Sequence, residues 1–202
     1  MIEALVKTIE GFIAESIEEQ GVKYLEAYKN IKGATEEEIR AFESDFGIVL
    51  PEDFKSLYKY KNGSSYPFNI FNTTYNEECV SSFFLLSLDE IRKEKVSYWK
   101  ENKPMADDDF FSSEDIAKLD KRIKPFIENK RWFPFAQLAN GSLYLILDFD
   151  PTEAGTVGQV IIYVHDPDFI YYVSEGIKGL LEDTISNLEC DDWRCEDFYV
   201  YF

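Results

Sequence analysis

Residues 34–63 read Ala-Thr-Glu-Glu-Glu-Ile-Arg-Ala-Phe-Glu-Ser-Asp-Phe-Gly-Ile-Val-Leu-Pro-Glu-Asp-Phe-Lys-Ser-Leu-Tyr-Lys-Tyr-Lys-Asn-Gly. They encode two short helices joined by a defined turn. Thr35 can cap the first helix, and Glu38 three residues on completes the pattern of a capping box. Ile39, Phe42 and Phe46 recur at helical spacing and mark one apolar face. Gly47 stands where a left-handed helix cap is needed. Pro51 opens the second helix, where no backbone donor is lost. Phe54, Leu57 and Tyr58 form its apolar face, and Asn62-Gly63 stops it. None of these residues performs chemistry in this pattern; together they specify a rigid helical hairpin.

The same residues resemble a family. Ile39-x-x-Phe42-Glu43, Gly47-x-x-Leu50-Pro51-x-Asp53-Phe54 and Asn62-Gly63 resemble the opening signature of the SUKH superfamily. That group holds the Smi/Knr-type cell-wall-synthesis regulators and many bacterial toxin-immunity proteins. A second block resembles its second half: Trp132-Phe133-Pro134-Phe135-Ala136, Asn140-Gly141, Leu147-Asp148, Pro151 and Gly155-x-x-Gly158-Gln159-Val160-Ile161. The resemblance spans about residues 34–189. It implies an α+β domain and a binding role, and one such fold carries several functions.

The rest of the pattern agrees with that fold class. Ile2, Leu5, Val6, Ile9, Phe12, Ile13 and Ile17 predict an N-terminal helix ending near Gly21. Residues 66–71 and 82–88 read as strands. The stretch 89–130 is charged and reads as an elaboration between the two blocks, with helices near 89–101 and 113–129. Strand patterns follow at 132–138, 142–149, 158–165 and 169–173, separated by Gly, Asn and Asp turns. The continuous apolar run Val160–Val164 suggests a central strand. An amphipathic helix covers 175–189, and an acidic, aromatic segment runs from Asp191 to Phe202. The expected architecture is α+β: a mostly antiparallel sheet of five to six strands, covered by N-terminal helices and a C-terminal helix. One domain spanning 1–202 accommodates all of it.

Composition bounds the function. The 202 residues include 17 Phe and 13 Tyr, enough for a large aromatic core and for interface anchors. The formal charge is −18. A field of that sign repels nucleic acid and anionic lipid and attracts a basic protein; an acidic surface also serves solubility alone. Cys79, Cys190 and Cys195 form no CxxC pair and no zinc or disulfide framework. No apolar run reaches the roughly 20 residues that span a bilayer, and Met1-Ile2-Glu3 begins an acidic amphipathic helix rather than a basic leader. These features point to a reducing cytosol.

Candidate chemistry is sparse. Leu145-Ile-Leu-Asp148-Phe-Asp150-Pro-Thr152 ends a hydrophobic strand in Asp-x-Asp-x-Thr, as haloacid-dehalogenase-type phosphatases do. Only about 50 residues follow it, too few for the βα domain that motif opens. The downstream pattern is strand-strand-helix, and a turn built from Asp, Pro and Gly explains the same residues. His165, the one histidine, sits in His-Asp-Pro-Asp and reads as an exposed turn residue; a His–acid pair is the alternative. No catalytic residue, cofactor or metal site is expected. Among the acid clusters, Glu36-Glu37-Glu38 suits a helix N-terminus. Asp107, Asp108 and Asp109, and Asp191, Asp192 and Glu196, are the candidates for gripping a cationic partner. The motif residues Phe42, Leu50, Pro51, Asn62, Gly63, Trp132, Pro134, Asp148, Pro151, Gly155, Gly158 and Gln159 are expected to serve the framework.

The expected function, resting mainly on the resemblance, is a non-enzymatic immunity protein that blocks a basic toxin domain, for instance a nuclease. The alternative is a regulatory scaffold similar to the cell-wall-synthesis regulators, and a third is an enzyme of unassigned chemistry.

Overall fold

In the computed structural model, described over residues 1–76 and 79–189, helices precede the main sheet, as the hydrophobic periodicity requires. They are α1 (Ile2–Ser16), α2 (Val22–Lys29), α3 (Glu36–Phe46) and α4 (Glu52–Tyr60). The predicted N-terminal helix therefore ends five residues before Gly21. A 3-10 turn over Glu19–Gly21 leads into α2, which the sequence reading missed. The hairpin forms as its caps dictate. Thr35 Oγ1 accepts from Glu38 N at 3.2 Å and Glu38 Oε2 accepts from Thr35 N at 2.7 Å. Gly47 is left-handed at φ 60°, and Pro51 stands at the N-cap of α4.

Two strands follow, β1 (Asn69–Tyr75) and β2 (Cys79–Leu85). Both lie some residues away from the predicted 66–71 and 82–88. Tyr66-Pro67 is a cis turn rather than a strand, and Ser87 is committed to capping the next helix, α5 (Leu88–Ser97), through Glu90. The stretch predicted as helix over 113–129 is helical only in α6 (Ser113–Ala117). Beyond it, β4 (Phe126–Glu128) pairs with the two-residue β3 (Lys103–Pro104). Pro125 cannot donate within a helix, and Ile123 and Ile127 are drawn into a core. The remaining elements are β5 (Trp132–Gln137), β6 (Leu143–Asp148), β7 (Gln159–Val164), β8 (Phe169–Ser174) and α7 (Ile177–Leu188), close to their predicted places.

The main sheet is antiparallel throughout, in the order β1-β2-β5-β6-β7-β8. It curves until its two edges meet: the rings of Tyr75 on β1 and Tyr171 on β8 lie 5.9 Å apart. The protein is thus α+β, with seven α-helices and a six-stranded antiparallel sheet among the described residues. The apolar run on β7 is interior, flanked by β6 and β8.

Alternate residues of each strand enter two different cores, as a pleated sheet requires. Leu145, Leu147, Val160, Ile162, Phe133 and Phe135 pack with α1, α3, α4 and α7. Ile146, Ile161, Ile170 and Trp132 pack instead with Trp99, Met105, Ile123 and Ile127. The charged 99–127 stretch therefore covers the second face of the sheet, and its few apolar residues are the ones it buries there.

Two lysines are buried against the polarity expected of them. Lys61 Nζ donates to the carbonyls of Tyr28, Lys29 and Ile31 at 2.9–3.1 Å and so closes the C-terminus of α2. Lys95 Nζ donates to Trp99 O at 2.5 Å and Lys130 O at 2.6 Å, tying α5 to the turn before β5. Burial pushes its pKa down to about 7.

The Asn62-Gly63-Ser64 turn locks the hairpin to the sheet. Asn62 Oδ1 accepts from Leu88 N at 2.9 Å, and Ser64 Oγ bridges Phe68 O and Leu85 N. Gly63 has φ 99°, and a Cβ there would lie 3.1 Å from Ser87 N. Gly63→Val is accordingly expected to cost about 2–4 kcal/mol, combining a β-branched residue at positive φ with backbone crowding. Chemical denaturation measures it; an unchanged midpoint would contradict this geometry.

Candidate partner-binding site

The two motif blocks meet in space. Phe42 packs on Phe133 and Phe54 on Phe135, with ring centroids 6.2 and 5.8 Å apart. Leu50 is buried beside them. Gly158, at φ 88°, lies under the Pro51 ring so closely that a Cβ would come within 2.5 Å of it. Asp53 Oδ2 reaches across to accept from Lys178 N at 3.1 Å, near the start of α7. Pro134 sits at a bulge of β5, and Gly155 is hemmed in by Gln159, Arg122 and Pro151.

Trp132, Asp148 and Gln159 form one row across β5, β6 and β7. Asp148 is fully buried. Its Oδ1 accepts from Trp132 Nε1 at 2.9 Å and Asp150 N at 2.8 Å, and its Oδ2 accepts from Gln159 Nε2 at 2.9 Å. Burial raises its pKa to about 6 despite these donors. Asp150 is held by Lys124 and Asn129. Asp148 thus faces a tryptophan and a glutamine, and both of its oxygens are engaged, two of the three donors coming from the neighbouring strands. Among the described residues, no group of three or more His, Cys, Asp or Glu could hold a metal ion.

The surface features lie elsewhere, on the side covered by the 99–127 stretch. One cleft, of about 310 Å³, is walled by Tyr98, Trp99, Tyr144 and Tyr163, with Glu128 and Asp168 among its lining. A second, of about 440 Å³, is lined by Phe110, Phe111, Pro167, Phe169 and Tyr171. Asp168 lines both. Phe110 and Tyr98 are 64% and 62% exposed, unusual for such side chains and suited to contacts with another molecule.

The candidate acids divide. Asp107 and Asp109 are exposed, and Asp109 directly precedes Phe110 of the second cleft. Asp108 is engaged locally: it pairs with Lys103 at 2.7 Å and accepts from Phe110 N at 3.0 Å, which lowers its pKa. Asp191, Asp192 and Glu196 lie outside the described residues, as do Cys190 and Cys195. Cys79 is an exposed free thiol. His165 is an exposed turn residue whose Nδ1 lies 2.7 Å from Asp168 Oδ1. The sequence reading missed Trp99, Tyr144 and Tyr163, because three distant segments bring them together. The exposed Phe110 directly after Asp107–Asp109 was the one local signal.

The sequence profile of the SMI1 / KNR4 family (SUKH-1) matches residues 33–183. The chain belongs to this family. The match begins just before the capping-box helix and ends within α7, so it takes in both motif blocks and the 99–127 cover between them. No curated protein matches the chain. No helix among the described residues is long and apolar enough to cross a membrane.

Proposed function

We propose that this SUKH protein is a non-enzymatic, cytosolic binding protein, an immunity protein that neutralises a basic toxin domain by covering its working surface. The observation that carries the reading is the family match over residues 33–183, a family whose members serve as immunity or regulatory proteins. The charge of −18 supports a cationic partner, because complementary fields steer encounter and penalise acidic competitors. The paired clefts supply what charge alone lacks: exposed aromatic anchors beside recessed pockets, the usual makings of an interface hot spot. In this reading the motif residues, from Phe42 through Gln159, build the framework, and Asp107 and Asp109 rim the binding face.

The test is co-expression with a toxin domain encoded beside this chain. Growth arrest by the toxin should be relieved, and the two proteins should co-purify at one-to-one stoichiometry. Failure to bind or protect would overturn the immunity reading. Capture of a cell-wall-synthesis enzyme instead, with growth defects on deletion, would replace it with the regulatory-scaffold reading.

A further inference from the structure

We propose that the cleft between Trp99, Tyr144 and Tyr163 receives an arginine side chain from the basic protein partner; the inference rests on the binding role argued above and names the chemistry of one pocket within it. Its volume of about 310 Å³ lies at the lower end of the roughly 300–1,000 Å³ of small-ligand sites, which suits one long side chain better than a cofactor. Its walls are fixed before any ligand arrives. The Trp99 ring meets Tyr144 and Tyr163 edge-on at 6.1 and 5.4 Å. Tyr144 Oη donates to Glu94 at 3.3 Å and Tyr163 Oη to Asp168 Oδ1 at 2.8 Å. Fixed aromatic walls attract a guanidinium, which stacks on rings while its edges donate to carboxylates.

The charges in the cleft favour a cation. The lysine in its lining, Lys103, is held by Asp108, and His165 Nδ1 lies 2.7 Å from Asp168 Oδ1. Asp168 keeps Oδ2 without a hydrogen bond, and the carboxylate of Glu128 accepts none among the described residues. Glu128 and Asp168 both act on Lys103 and on Tyr163, so their fields overlap in the cleft. Glu94 stands behind Tyr144, its pKa raised mainly by burial. A guanidinium offers five donors in a planar fork, where an ammonium offers a compact and strongly hydrated charge. One more group in the wall lacks a partner: Trp99 is 3% exposed and its Nε1 has no acceptor. A peptide-borne arginine brings a main-chain carbonyl as well as a cation.

The probe is N-acetyl-arginine methylamide, titrated into the full chain while the Trp99 indole and neighbouring amides are followed by NMR. Millimolar binding is expected. The citrulline analogue, which has the same shape without the charge, should bind at least about 10-fold more weakly, a difference of about 1.4 kcal/mol. Glu128→Gln with Asp168→Asn should weaken the arginine probe by a similar factor at an unchanged melting temperature. Glu36→Gln with Glu37→Gln, on the remote α3, should leave it unchanged. The comparison of arginine with citrulline on the unaltered protein needs no variant to fold. Equal binding of the two, shifts scattered over the whole acidic surface, or no shift at the cleft would overturn the proposal. If the cleft takes arginine but no protein partner is bound, the immunity reading fails and the pocket stands. If a partner binds with the same affinity to the Glu128→Gln, Asp168→Asn variant, the pocket fails and the immunity reading stands.

Discussion

Asp148→Leu is expected to destabilise the protein by about 4 kcal/mol or more, enough to unfold a domain of ordinary stability. The change leaves Trp132 Nε1, Asp150 N and Gln159 Nε2 facing an apolar side chain. An unpartnered buried polar group costs about 1–3 kcal/mol. Gln159 Nε2 keeps its bond to Arg122 O, so Trp132 Nε1 and Asp150 N carry most of the loss. Asp148→Asn should cost less, because its oxygen can keep the Trp132 and Asp150 bonds. Its amide nitrogen, however, would face the Gln159 nitrogen, and turning Gln159 over would break the bonds to Thr156 and Arg122.

The pH dependence distinguishes the roles of this carboxyl. Its folded pKa, about 6, lies above the ordinary aspartate value of 3.8. The folded state therefore holds more protons between those values, and stability rises as pH falls through the window. That contribution is full below about 4 and is lost as pH rises through about 6, with an upper bound of about 3 kcal/mol. Carboxylates with lowered pKa values, such as Asp115, act in the opposite sense. The readout is thus the difference between wild type and Asp148→Asn in urea midpoints from pH 4 to 7. The stability gap between them should narrow as pH rises. A parallel pair of curves would contradict the buried-carboxyl account. Phosphate-ester hydrolysis abolished by Asp148→Asn in a folded protein would contradict the framework role and give Asp148 a catalytic one.

The second large effect concerns binding. Phe110→Ala with Tyr98→Ala should weaken the partner complex by about 2–4 kcal/mol, at least 30-fold in Kd, with most of the change in dissociation rate. Both rings are largely exposed, so the melting temperature should move little. Intact affinity in that variant would move the interface away from the clefts.

The hairpin at 35–62 was legible because its signals are local: a capping box, a left-handed glycine and a helix-opening proline act within a few residues of themselves. The strands of 132–173 were legible because glycine, asparagine and aspartate turns separate their apolar runs. The helix α2 was missed because Gly21 resembles a stop, and its buried face is only Leu25 and Tyr28. The 113–129 stretch was misread because Ile116, Leu119, Ile123 and Ile127 do fall at helical spacing, while Pro125 and the pairing of β4 with β3 take its second half out of a helix. Nothing local marks Lys61 and Lys95 for burial, and only tertiary structure reveals the carbonyls that gather around them. The clefts suffered most, since Trp99, Glu128, Tyr144 and Asp168 acquire meaning only when the turn after α5, β4, β6 and the turn before β8 are brought together.

The central claim is that this face binds a basic protein under electrostatic steering, and stopped-flow association with the cognate partner tests it most directly. With a Debye length of about 10 Å at 0.1 M salt, raising ionic strength should slow association steeply and leave dissociation nearly unchanged. Asp107→Asn with Asp109→Asn should slow association further, while Asp108 is left in place because it anchors Lys103 and the Phe110 turn. An association rate indifferent to both salt and the double change would contradict the account.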